Sequence, residues 1–149
     1  MNGAAPVARI VDLPRREREV IVFLRLWCAG PVGQAEVWQE LAARLGHDQA
    51  ASALERFEAL LLATARLARR PLARHCIGCP CAGADECAFA RLVALAGSPE
   101  DADARMLAVL IAGAKGAEPL AAAAEAFCRA LAGARETPRT ARGAAATLH

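Results

Sequence analysis

The sequence predicts an all-α protein, a compact bundle of about six helices. Alanine is abundant, aromatic residues make up 4% of the chain and tyrosine is absent, whereas strands are enriched in β-branched and aromatic residues. Apolar residues recur at intervals of three and four along most of the chain, which is typical of helices that bury one face. Glycine and proline separate these stretches, as they do where helices end.

Three helices are predicted in the first half of the chain, each with apolar residues on one stripe. They begin near residues 15, 34 and 48, and they end near residues 30, 45 and 70. Gly46 is predicted to cap the end of the second helix, and Asp48 the start of the third. Residues 1–13 carry no sustained apolar period, so we expect them to form a loosely held lead-in.

Three further helices are predicted after a cysteine-rich loop at residues 76–87. They begin after Cys87, at Ser98-Pro99 and at Pro119, and they end at Gly97, at Gly113 to Gly116 and near Gly133. Beyond them the chain has no apolar face to bury. The predicted organisation is therefore one helical domain at residues 1–134, with the cysteine loop between helices three and four, and a mobile C-terminal tail at residues 135–149.

Four cysteines within twelve residues are the sharpest chemical signal in the chain. Cys76, Cys79, Cys81 and Cys87 form the pattern C-x2-C-x-C-x5-C in a loop that also contains glycines. A turn directs side chains inward that a strand or a helix would spread apart. Because thiolates ligate both iron–sulfur clusters and zinc, the spacing predicts a metal site formed by these four residues.

The residues alone leave three interpretations of this site open. A [2Fe–2S] cluster and a tetrahedral zinc ion both take four thiolates. Structural zinc sites usually use two C-x2-C pairs separated by a longer insert, whereas this loop has one such pair, so we favour the cluster over zinc. Free or catalytic thiols are the third interpretation.

In its spacing and in its opening Cys76-Ile-Gly-Cys79, the loop resembles the [2Fe–2S] loop of SoxR-type redox-responsive regulators of the MerR family. The resemblance covers 12 of the 149 residues. It implies a [2Fe–2S] cofactor ligated by Cys76, Cys79, Cys81 and Cys87. Those regulators place a DNA-binding domain and a long dimerisation helix before the loop and only a short tail after it. This chain has three predicted helices on each side, so the resemblance does not imply DNA binding.

Other residues near the loop have simpler expected roles. Cys28 and Cys128 fall on apolar faces of helices one and six, where cysteine behaves as a small hydrophobe, so we expect both in the core. His75 adjoins Cys76 and is expected to lie behind the ligands or to point to solvent. Basic residues before the loop either stabilise a reduced centre or simply end helix three; these are Arg66, Arg69, Arg70 and Arg74.

Charge and hydropathy restrict where the protein acts. No signal-peptide pattern begins the chain, so a cytoplasmic, reducing compartment is expected, where clustered cysteines more often bind metal than form disulfides. The apolar run at residues 20–24 ends at Arg25, far short of the roughly 20 residues that a membrane span needs. The net charge is only +2. Neither a membrane nor nucleic acid is therefore an expected partner.

These observations together predict a function. No nucleophile elbow, phosphate-binding glycine loop or histidine pair at ligand spacing is present in the sequence, so we do not expect an enzyme. The leading hypothesis is a cytoplasmic [2Fe–2S] protein that senses redox state or oxidants and signals to a protein partner. A homodimer is compatible with this hypothesis. The alternatives are an electron-transfer protein for a specific enzyme and a zinc-stapled helical adaptor without redox function.

Overall fold

The computed structural model describes residues 5–98 and 101–133. Over these residues the protein is mostly helical, with five helices and one two-stranded antiparallel sheet. The helices are α1 (Arg15–Cys28), α2 (Pro31–Leu45), α3 (His47–Leu67), α4 (Ala84–Leu95) and α5 (Asp101–Gly133), and the strands are β1 (Pro6–Arg9) and β2 (Cys81–Gly83). The all-α prediction fits apart from this small sheet. The predicted tail at residues 135–149 lies outside the described residues.

Glycine and proline set the boundaries of the first three helices. Helix α2 begins at Pro31 rather than near residue 34, because proline is favoured at the first position of a helix and Gly30 makes the turn before it with φ 112°. Gly46, with φ 79°, ends α2 and is also the residue that precedes α3. Helix α3 therefore begins at His47, and Asp48 lies in its first turn instead of capping it.

The helices pack in a closed ring. Helix α1 contacts α2 and α4, α3 contacts α2 and α5, and α4 and α5 complete the ring. Gly33 lets α2 lie close against α1, because a Cβ at that position would collide with the carbonyl oxygen of Leu26. Each helix thereby buries its apolar stripe against two neighbours.

Aromatic side chains fill the centre of the ring. The ring of Phe57 lies 4.9 Å from that of Phe127, 5.7 Å from that of Trp27 and 6.2 Å from that of Phe23, measured between centroids. These separations are typical of favourable aromatic pairs. Phe57 and Phe127 are fully buried, so α1, α3 and α5 meet at this cluster.

The small sheet corrects the expectation of a loosely held lead-in. Strand β1 pairs antiparallel with β2, with Ala8 opposite Ala82 and Arg9 opposite Cys81. The Ile10 N–H extends this pairing by donating to the Pro80 carbonyl oxygen at 2.8 Å. Strand β1 and Ile10 are therefore attached to the second half of the cysteine loop, and residues 1–4 of the expected lead-in lie outside the described residues. A pairing between segments so far apart in sequence is invisible to local periodicity.

Helix α5 is interrupted where the sequence predicts an end. Gly113 has φ 75° and ψ 174°, which is not a helical conformation. Helical structure resumes after Gly113, so Pro119 lies inside the helix and not at its predicted start. By length and composition α5 also meets the criteria for a membrane span, with a mean hydropathy of 1.4 over 18 residues. In this structure α5 packs against α3 and α4. The expectation that a membrane is not a partner was based on the apolar run at residues 20–24 and not on α5.

Candidate metal-binding loop

The structure distributes the four loop cysteines over three kinds of backbone. Cys76 and Cys79 lie in an irregular segment, residues 68–80, whereas Cys81 begins β2 and Cys87 lies in the first turns of α4. The prediction that all four belong to one loop ahead of helix four is therefore wrong for Cys87. Helix α4 starts at Ala84 because Gly83 precedes it in an extended conformation and acidic residues occupy its first turn.

A buried guanidinium organises the loop backbone. Arg25 is only 5% exposed, and its Nη1 donates to the Cys79 carbonyl oxygen at 2.8 Å. Its Nη2 donates to the Cys81 carbonyl oxygen at 2.7 Å. Both carbonyls belong to predicted ligands, so one side chain from α1 holds the peptide backbone on either side of Pro80. The rigid fork of donors on arginine suits such a clamp.

Glu86 is the partner of Arg25 and ties the two ends of the loop together. Arg25 Nε donates to Glu86 Oε1 at 2.8 Å, and Arg25 Nη2 donates to Oε2 at 3.0 Å. Glu86 Oε1 also accepts from the His75 N–H at 3.0 Å, and Oε2 from the Gly83 N–H at 3.1 Å. A fully buried carboxylate thus receives four hydrogen bonds. The bond to Gly83 is one half of a capping box for α4.

Hydrogen bonding keeps this pair charged despite its burial. Burial favours a raised pKa for Glu86, but the bonds from Arg25, Gly83 and His75 outweigh it, so the pKa is lowered from 4.5. The hydrogen bond to Glu86 raises the pKa of Arg25, and the nearby Cys79 and Cys76 sulfurs reinforce this direction. A charged guanidinium, balanced by the Glu86 carboxylate, therefore lies beside the cysteine loop.

Two of the arginines that precede the loop contact other parts of the fold. Arg70 forms a two-pronged pair with Asp85, at 2.6 and 2.8 Å, and Asp85 Oδ2 also accepts from the Ala73 N–H at 2.7 Å. The hydrogen bond from Arg70 is the largest cause that lowers the pKa of Asp85. The Arg69 N–H donates to the Ile111 carbonyl oxygen at 3.0 Å. These contacts anchor the start of the loop to α4 and α5.

The four thiols are free but are not gathered around one point. All six cysteines lie in the described residues, and none of them forms a disulfide. Within residues 5–98 and 101–133, no group of three or more His, Cys, Asp or Glu side chains is placed to hold a metal ion. The donor set nevertheless fits a four-thiolate centre in type and number. Cys76 and Cys79 lie in a segment without regular secondary structure, which Arg25 and Glu86 hold at the Cys79 carbonyl and the His75 N–H.

Burial affects His75 and the Cys87 thiol. His75 Nδ1 lies 3.7 Å from Cys79 Sγ, and His75 Nε2 is buried without a hydrogen-bond partner among the described residues. This supports the position expected for His75 behind the predicted ligands. Burial, followed by the carboxylates of Glu17 and Glu86, raises the pKa of the Cys87 thiol.

The core positions expected for the other two cysteines are not both found. Cys28 is exposed, because it is the last residue of α1 and the ring of helices does not cover that end. Cys128 is half-buried on α5 and packs against the core, and burial raises its pKa. Cys28 therefore belongs to the surface near the loop.

Sequence reasoning missed Arg25 and Glu86, the residues that organise the site. One signal was visible, since Arg25 interrupts an otherwise apolar stripe on α1 and a charge on a buried face needs a partner. Its partner lies 61 positions away, so no local spacing connects the two.

No protein-family model, curated protein or solved structure matches the chain. A functional assignment therefore depends on the residues described above.

Replacing Glu86 by glutamine should strongly destabilise the protein, because it leaves the Arg25 charge buried without its counterion. Removing one partner of a buried pair typically costs about 3–5 kcal/mol. The free energy of unfolding, measured by urea titration, should fall by this amount. Glu125→Gln makes the same chemical change in a more exposed i,i+4 pair with Arg129 and should cost about 0.5 kcal/mol or less. Equal losses in the two variants would contradict the importance given to Glu86.

Proposed function

We propose that this chain binds a [2Fe–2S] cluster through Cys76, Cys79, Cys81 and Cys87 and acts in the cytoplasm as a redox or oxidant sensor that signals to a protein partner. The observation that carries the proposal is the set of four free thiols within twelve residues, in the spacing that resembles SoxR-type loops. Such a cluster, when bound, supplies a one-electron redox centre. Neither catalysis nor binding to nucleic acid or a membrane is part of the proposal.

The surroundings of the loop suit a four-thiolate centre. Arg25 directs its guanidinium at the carbonyls of Cys79 and Cys81, and Glu86 balances its charge. Four thiolates around a [2Fe–2S] cluster or around Zn²⁺ carry net negative charge, and the donor side of this ion pair lies beside them. The contact serves either metal, so the preference for the cluster rests on the cysteine spacing.

The same contacts provide a path from the loop to the helices. Arg25 belongs to α1 and Glu86 to α4, and these helices contact each other in the ring. A change of charge at the cysteines acts directly on this pair, whose hydrogen bonds also hold His75 and Gly83. We propose that the helical shell, six helices when α5 is divided at Gly113, transmits the change to a partner.

Metal analysis tests the cofactor. Protein purified without oxygen should be coloured and contain about two irons and two sulfides per chain. Cys79→Ser and Cys81→Ser should abolish iron binding and colour, because each removes a ligand. Cys128→Ala is the matched control and should retain both, since that thiol packs against the core. A colourless protein with one zinc per chain would reject the cluster and favour the adaptor.

Partner binding in two redox states tests the sensing role. Coupling between linked sites is typically about 1–3 kcal/mol, so the affinity for a purified partner should differ about five- to 150-fold between oxidised and reduced protein. Isothermal titration under anaerobic conditions measures both affinities. An electron carrier instead uses a small, weak contact and exchanges electrons rapidly. Equal affinities with rapid reduction by a physiological donor would reject sensing and favour electron transfer.

A further inference from the structure

A pocket beside the loop is lined by two exposed cysteines that the sequence placed in different roles. Cys28 and Cys76 both line this pocket, which has a volume of about 420 Å³. Cys28 ends α1, whereas Cys76 lies in the irregular segment before β2. The two thiols are 48 positions apart in sequence (76 − 28), yet they face a common space.

The Arg25 clamp explains why these thiols line the same pocket. Arg25 and Cys28 are three residues apart on α1, so they lie on the same face, one turn from each other. Arg25 holds the loop backbone at the Cys79 carbonyl, and the Cys79 N–H donates to the Cys76 carbonyl oxygen at 3.1 Å. The turn that contains Cys76 is thereby held against the end of α1.

The other residues that line this pocket favour a negatively charged ligand. Arg25, Arg74 and His75 line the same pocket as the two thiols. No side-chain acceptor is found for Arg74 among the described residues, in contrast to Arg70. Arg25 is buried and already bonded to Glu86 and to the loop carbonyls, so Arg74 is the guanidinium left to pair with a carboxylate of a small negatively charged disulfide such as oxidised glutathione.

We propose that Cys28 and Cys76 form a disulfide by exchange with a low-molecular-weight disulfide when the loop holds no metal. Because Cys76 is a predicted ligand, this bond removes one of the four thiolates and prevents metal uptake until it is reduced. That consequence rests on the proposed cluster function, whereas the disulfide itself does not.

The exchange is balanced in atoms and electrons. The Cys76 thiolate attacks one sulfur of oxidised glutathione, which forms a mixed disulfide and releases one glutathione thiolate. The Cys28 thiolate then attacks the Cys76 sulfur, which forms the Cys28–Cys76 bond and releases the second glutathione. The two protein thiols lose two electrons and two protons, and two glutathione thiols gain them.

Cys79 is the main competitor for Cys76. The Cys79 N–H donates to the Cys76 carbonyl oxygen across a turn, which brings the Cα atoms of this pair within reach of a disulfide, for which about 4.4–6.8 Å is needed. Two observations favour Cys28 instead. Cys79 does not line the pocket that Cys28 and Cys76 share, and the Cys79 sulfur lies 3.7 Å from His75 Nδ1.

Disulfide mapping of the full chain tests the proposal. Protein freed of metal by a chelator is treated with oxidised glutathione, blocked with iodoacetamide and digested without reductant for mass spectrometry. The expected product is a peptide pair joined through Cys28 and Cys76. Cys28→Ser should instead trap glutathione on Cys76, and Cys128→Ser, the matched control, should behave as the unaltered chain does. A Cys76–Cys79 bond with Cys28 reduced, or free thiols at both positions, would overturn the proposal.

Iron uptake separates this proposal from the cluster function. Oxidised protein should take up no iron, and uptake should return after reduction with dithiothreitol. The disulfide proposal is supported, and the cluster function rejected, if the Cys28–Cys76 bond forms but the reduced chain binds no iron. The reverse result, iron binding by the reduced chain with no Cys28–Cys76 bond after oxidation, rejects the disulfide alone.

Discussion

The ion pair between Arg25 and Glu86 is the interaction on which the loop depends. Two charges buried in this way are costly unless hydrogen bonds satisfy them. Here Glu86 accepts four, and Arg25 also donates to two loop carbonyls. The four backbone groups that bond to the pair all belong to the loop or to β2. The hydrogen bonds that satisfy the buried charges therefore also fix the shape of the loop. The pair therefore holds the backbone of the cysteine segment in place without a ligand.

Much of the helical architecture could be predicted from the sequence. The start of α1 at Arg15 and the break at Gly113 follow from local signals, namely an apolar period and a glycine that tolerates positive φ. The pairing of β1 with β2 could not be predicted, because a four-residue strand carries little periodicity and its partner is about 75 positions away. The early start of α4 depends on Glu86 reaching back to Gly83.

The sequence predicts the four cysteines of the candidate site but not the Arg25–Glu86 pair that holds their backbone. Spacing alone identifies the four cysteines, whereas the partner of Arg25 depends on the tertiary fold. The same limit explains the wrong position expected for Cys28, since periodicity shows which face of a helix is apolar but not how far along the helix its neighbours extend. Its exposure in turn places a fifth thiol beside the loop, where Cys76 faces the same pocket.

Amide hydrogen exchange of the metal-free protein tests the central claim most directly. If the Arg25–Glu86 pair shapes the loop without a ligand, the His75 and Gly83 amides, which donate to Glu86, should exchange slowly. The exposed Ile77 and Gly78 amides, between them in sequence, should exchange rapidly. Protection at His75 and Gly83 with rapid exchange at residues 77–78 is the predicted result. Uniformly rapid exchange from residue 73 to residue 83 would show that the loop is unordered without metal and would contradict the account.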